Sequence, residues 1–125
     1  MKRFLILLSI FLCIGCAKKI VTKHVDTIEE VSYSSIYKII NHYDLYKDID
    51  LIDVRDEDCY SDSHFIGARN IPYSELIDAE FDSNKRIIVY GDNRSKSIAA
   101  CRKLRSIGID ADYVPGINNY PYELV

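Results

Sequence analysis

Between Lys85 and Ile109 the chain reads KRIIVYGDNRSKSIAACRKLRSIGI, and no other stretch constrains the fold as tightly. Ile87, Ile88 and Val89 form a short β-branched run of the kind found in strands covered on both faces of a parallel sheet, and Tyr90 closes it. After Ser97, the residues Ile98, Cys101, Leu104 and Ile107 recur at spacings of three, which predicts the apolar face of a helix. Gly108 then stands where a helix C-terminus favours glycine. The pattern is strand, polar loop, helix. Such a loop lets its own amides and the free N–H groups of the helix's first turn converge, and the partial positive charge there attracts anions. Gly91, Asp92, Asn93, Arg94, Ser95, Lys96 and Ser97 are therefore the candidate anion- or ligand-binding loop.

The 125 residues leave room for one small domain with one core. The formal charge of −3 becomes −5 if Lys2 and Arg3 leave with a leader, because 14 basic residues then face 19 acidic ones. No basic stripe is evident, so nucleic acid is not an expected partner. Lys2 and Arg3 precede FLILLSIFLCIG, an apolar run too short for the roughly 20 residues that span a bilayer but suited to a signal peptide. The run ends Cys13-Ile14-Gly15-Cys16, which resembles the lipobox of bacterial lipoproteins, with Cys13 where that pattern usually has leucine. The resemblance implies a signal peptide over residues 1–15, cleavage before Cys16 and lipid attachment there, followed by a polar tether over 16–28. The expected setting is the bacterial envelope, with a membrane reached through the lipid anchor. Plain secretion and an uncleaved anchor are the alternatives.

The remaining residues, 29–125, read as the domain. Glu30 and Val31 begin an extended piece, and Ser34 or Ser35 can cap a helix carrying Ile36, Ile39 and Ile40. Ile49, Leu51, Ile52 and Val54 predict a second buried strand ending Asp53-Val54-Arg55. Beyond it run DEDCYSDSHFIGARNIPYSEL, with carboxylates in the first turn of a short helix and another short helix from Ser74 to Ile77. Asp53, Val54, Arg55, Tyr60, His64, Gly67, Ala68, Asn70, Ile71 and Pro72 together resemble the signature of the rhodanese domain, a family of sulfurtransferases and their non-catalytic relatives. Tyr113 to Gly116 resemble its last strand and turn, and Ile117 to Leu124 its terminal helix. The resemblance implies an α/β fold with a central, mainly parallel sheet of about five strands and helices on both faces. It also implies scaffold roles for Asp53, Arg55 and His64.

In that family a cysteine directly after the strand takes a sulfane sulfur, holds it as a persulfide and passes it on, while the loop amides favour its thiolate. Aligned without insertion, that position is Gly91, which has no nucleophile. Arg94 stands at the usual glycine, Lys96 at the usual arginine, and Ser97 is kept, so two cations join the loop while Asp92 opposes an anion. Cys101 lies on the helical apolar stripe and Cys59 on another element among carboxylates, poor surroundings for a thiolate. A Cys59–Cys101 disulfide is conceivable in an exported domain. No cofactor and no metal site are expected, since the cysteines lack metal-ligand spacing. The expectation is a catalytically silent domain that binds an anionic ligand or envelope protein at the Gly91–Ser97 loop. A sulfurtransferase using a non-standard cysteine is one alternative, and a structural interaction module is the other.

Overall fold

The computed structural model describes residues 28–42 and 47–125. The proposed signal peptide, Cys16 and nearly all of the tether lie outside the described residues. In chain order the elements are α1 (Tyr33–Asn41), β1 (Ile49–Asp53), α2 (Glu57–Asp62), β2 (Arg69–Asn70), a 3-10 helix (Tyr73–Asp78), β3 (Arg86–Tyr90), α3 (Arg94–Ser106) and β4 (Ala111–Tyr113).

Every pairing in the sheet is parallel, in the order β2-β1-β3-β4. Residues alternate across it. Ile52, Ile87 and Val89 face one apolar cluster with Leu76, Ala100, Cys101 and Leu104, while Leu51, Ile88 and Tyr90 face another with Ile36, Phe65, Val114 and Ile117. A strand that must bury both faces has no polar side to spare, which is why β1 and β3 read as near-continuous apolar runs. Helices consequently cover the sheet on both faces.

Three expectations need correction. Four strands are described instead of about five: Glu30 makes only a single parallel bridge to Tyr113, because Ser32 caps α1 two residues later and turns the chain away. Ser32, and not Ser34 or Ser35, is that cap; its side chain accepts from the Ser35 amide. Residues Ile117 to Leu124 form one turn followed by irregular backbone in place of a terminal helix. Their amides are committed elsewhere: Ile117 and Asn118 donate to the carbonyls of Gly91 and Asp92, and Val125 pairs with His64 in both directions. Tyr120 packs edge-on against Phe65 and Tyr33, holding the segment to the sheet face by ring contacts.

The buried stripe of α3 is also rotated from the expected one. Ser97, Ala100, Cys101 and Leu104 are the buried positions, whereas Ile107 lies at the C-cap and is 40% exposed. A serine can occupy the inner face because its hydroxyl is fully engaged there, as the loop geometry shows.

Candidate functional site

The loop after β3 is held from three directions. Asn93 caps α3, its side chain accepting from the Lys96 amide at 3.0 Å. Ser97, buried beneath, accepts from the Gly91 amide at 2.9 Å and donates to the Asn93 carbonyl at 3.1 Å. From the C-terminal side, Ile117 and Asn118 bind the carbonyls of Gly91 and Asp92. Gly116 makes that approach possible: at φ 125°, an added Cβ would sit 2.5 Å from the Asn93 Cα. Tyr33 reaches across to donate its hydroxyl to the Gly116 carbonyl at 2.6 Å. The amides of Asp92, Asn93, Arg94 and Ser95 make none of the described hydrogen bonds, so they remain available to a ligand.

Gly91 is packed as well as small. A Cβ built on it would lie 2.9 Å from the Lys96 Cβ, so any side chain at this position forces the helix's first turn to shift. The loop is closed around a glycine.

In a parallel sheet, the residues that follow the C-terminal ends of neighbouring strands meet on one edge. Here the segments after β1 and β3 enclose an open cleft of about 410 Å³, lined by Val54, Arg55, Asp56, Cys59, Tyr73, Gly91, Asp92, Lys96 and Ala99. Cys59 is exposed and free, and the fold brings it to the same cleft as Gly91. In the sequence it stands on a different element, α2, with no local motif joining it to the loop. The signal that would have found it is topological: α2 and the loop follow adjacent parallel strands.

The cleft's two cations, Arg55 and Lys96, are each paired with a carboxylate, while the lining Asp56 makes no described ion pair. The Arg55 side chain is 9% exposed, and its Nη2 lies 2.7 Å from the fully buried Asp53 and 2.6 Å from the Ser63 carbonyl. Burial alone would lower the Arg55 pKa, but the Asp53 carboxylate more than offsets it and the net shift is upward. Tyr90, also fully buried, takes a hydrogen bond from the Phe65 amide; burial, then the Asp53 charge, pushes its phenol far above the ordinary range. Lys96 is tied to Asp92 at 3.0 Å. Arg94 faces away from the cleft and pairs with Glu30 at 3.1 Å, lining a second depression with Tyr33, Asn93 and Pro115. The two cations expected to converge on the loop thus point to different sides, each with a carboxylate partner.

His64 is half-buried, stacked on Tyr60 at 3.9 Å, with Nδ1 2.7 Å from the Tyr60 carbonyl. Cys101 is buried, its thiol donating to the Ala111 carbonyl at 2.8 Å, and burial pushes its pKa up to about 11. Cys59 and Cys101 are both free, so the conceivable disulfide is not formed. Among the described residues no group of three or more His, Cys, Asp or Glu could hold a metal ion, and no helix is long and apolar enough to cross a membrane.

A model of the rhodanese-like domain family matches residues 36–120. Among curated proteins, a tRNA sulfurtransferase of Thermoplasma volcanium is 31% identical over 100 residues, which cover 75% of this chain and 21% of that protein. YqhL of Bacillus subtilis is 36% identical over 70 residues, covering 54% of this chain and 56% of that protein. The chain therefore spans about a fifth and about half of these relatives' lengths. Among solved structures, a rhodanese-related protein of T. volcanium superposes with a TM-score of 0.66 at 23% identity, over 78% of this chain and 97% of that one. A rhodanese-like domain protein of Staphylococcus aureus gives 0.67 at 19% identity, over 78% of this chain and 97% of that one. These two likenesses show the fold.

Proposed function

The chain belongs to the rhodanese-like domain family, and on that footing we propose that it is a binding member of the family, without sulfurtransferase activity, that holds an anionic group on the Gly91–Ser97 loop. The observation that carries this reading is Gly91 itself. It offers no nucleophile where the family's chemistry begins, and the first turn of α3 has closed to 2.9 Å around the space a side chain would need. With Arg94 and Lys96 paired to carboxylates, and Asp56 on the cleft wall opposing an anion, the attraction comes from the amides of Asp92 to Ser95 at the N-terminus of α3. Titration of the protein with sulfate, thiosulfate and phosphate tests it. Saturable amide shifts across Asp92 to Ser97 are expected, and shifts that never saturate would leave the loop without a ligand-binding role.

The position of Cys59 favours one further reading, a sulfurtransferase with a relocated thiol. Its thiolate would attack the outer sulfur of thiosulfate, the S–S bond would break with sulfite leaving on the electron pair, and the resulting persulfide would pass its sulfur to a thiophilic acceptor. Turnover lost in Cys59→Ser would promote this reading over binding.

Lipid anchoring through Cys16 in the bacterial envelope belongs to the same proposal. Its test is incorporation of labelled fatty acid in a bacterial host, expected in the parent and lost in Cys16→Ser; no label in the parent would mean that the leader is an ordinary anchor or secretion signal.

A further inference from the structure

Helix α3 carries five basic residues and no acidic one, in a chain whose net charge is −3. Its charges are unevenly compensated. Arg94, Lys96 and Arg105 each have a carboxylate partner, whereas Arg102 is exposed and makes no described hydrogen bond or ion pair. Lys103 is fixed without a carboxylate: its ammonium donates to the Tyr73 carbonyl at 2.9 Å and lies 4.0 Å above the Tyr73 ring.

These residues line a shallow groove between the outer face of α3 and the 3-10 helix. Arg102 and Lys103 supply its uncompensated charge, Arg94, paired with Glu30, stands at one end, Tyr73, Ile98 and Ala99 form its apolar floor, and no carboxylate lines it. Tyr73 and Ala99 also line the cleft beside Gly91, so groove and cleft meet along a shared rim.

We infer that this groove docks an acidic polypeptide segment of a partner protein, laid along α3 so that its neighbouring residues reach the cleft. This rests on the binding reading above and names the partner's chemistry. Carboxylates of such a segment would meet Arg102 and Lys103, and its apolar side chains would cover Tyr73, Ile98 and Ala99. A long polyanion is disfavoured by the chain's net charge of −3, since it would extend past the groove's few cations. The interaction is expected to weaken as salt rises, since the cations are surface groups.

The test is fluorescence anisotropy of a labelled glutamate–tyrosine copolymer peptide against the full-length protein in detergent. Saturable binding is expected, reduced roughly tenfold in Arg102→Glu but little changed in Lys85→Glu, which makes the same charge change at the far end of β3. Arg102→Glu alters an exposed side chain with no described partner, so the fold should be retained, and circular dichroism checks that. Equal losses in both variants would overturn the proposal in favour of overall charge. Arg102-dependent binding to phosphatidylglycerol vesicles, with none to the peptide, would also overturn it by giving the groove to a lipid surface. Sulfate-induced shifts in Asp92 to Ser97 separate the two levels. If they persist while peptide binding fails, only the groove assignment falls; if both fail, the binding reading falls with it.

Discussion

Gly116 sets the site's geometry at the scale of one residue. Its φ of 125° and the 2.5 Å separation that a Cβ would have from Asn93 leave no room for a methyl group. Gly116→Ala should therefore cost about 1–3 kcal/mol, the range for a side chain forced into a disfavoured backbone region with a steric clash added. Urea denaturation measures that loss, and amide spectra should show Gly91 to Ser97 moving first. A variant as stable as the parent would mean that the turn relaxes freely and does not fix the loop. Gly91 is constrained differently, by space and not by φ. A cysteine placed there would fit only by moving Lys96, so on the reading proposed above Gly91→Cys alone is a poor route to activity.

At the scale of elements, the junction of α3 with β4 passes through Cys101, whose thiol is buried and donates to the Ala111 carbonyl. Burial, opposed in part by Arg105, raises its pKa from 9.0 to about 11. The folded state thus holds this proton more tightly than the unfolded one, so its contribution is fully present below the unfolded pKa and is lost as pH rises through the folded value. Unfolding free energy should fall between pH 9 and 11, with a slope no steeper than about 1.4 kcal/mol per pH unit from this group. Cys101→Ala should be less stable at neutral pH but flatter over the lower part of that window. Tyr120, raised to about 12 mainly by burial, adds a loss of the same sign at higher pH. An unchanged slope in Cys101→Ala would assign the alkaline loss elsewhere.

Much of this junction was legible in the sequence. β3 and α3 were placed by a β-branched run, a glycine past the helix end and apolar spacing, because those signals are local, although α3 begins at Arg94 under an Asn93 cap and not at Ser97. The helix face was not. Ser97 is buried because its hydroxyl bonds Gly91 and Asn93, a partnership between residues that hydropathy counts as polar. The missing terminal helix has a similar cause, since Ile117 and Asn118 give their amides to the loop carbonyls, contacts across 26 positions of sequence.

At the scale of the whole molecule, parallel topology brings distant segments to one edge of the sheet. Val54 to Cys59 follow β1 and Gly91 to Lys96 follow β3, so a cleft arises from pieces that share no local motif. The family signature around Asp53 and Arg55 announced the scaffold, and the buried Asp53–Arg55 pair shows what that scaffold does: it anchors the cleft wall and contributes no free charge. That Cys59 and Gly91 line one cleft was not legible, because spacing along the chain says nothing about which strands are neighbours.

The central claim is that this family member binds without transferring sulfur. Mass spectrometry of the alkylation-trapped protein after incubation with thiosulfate tests it most directly. The account predicts no persulfide on any cysteine and no thiocyanate when cyanide is added. A persulfide on Cys59 that is discharged by cyanide would contradict it.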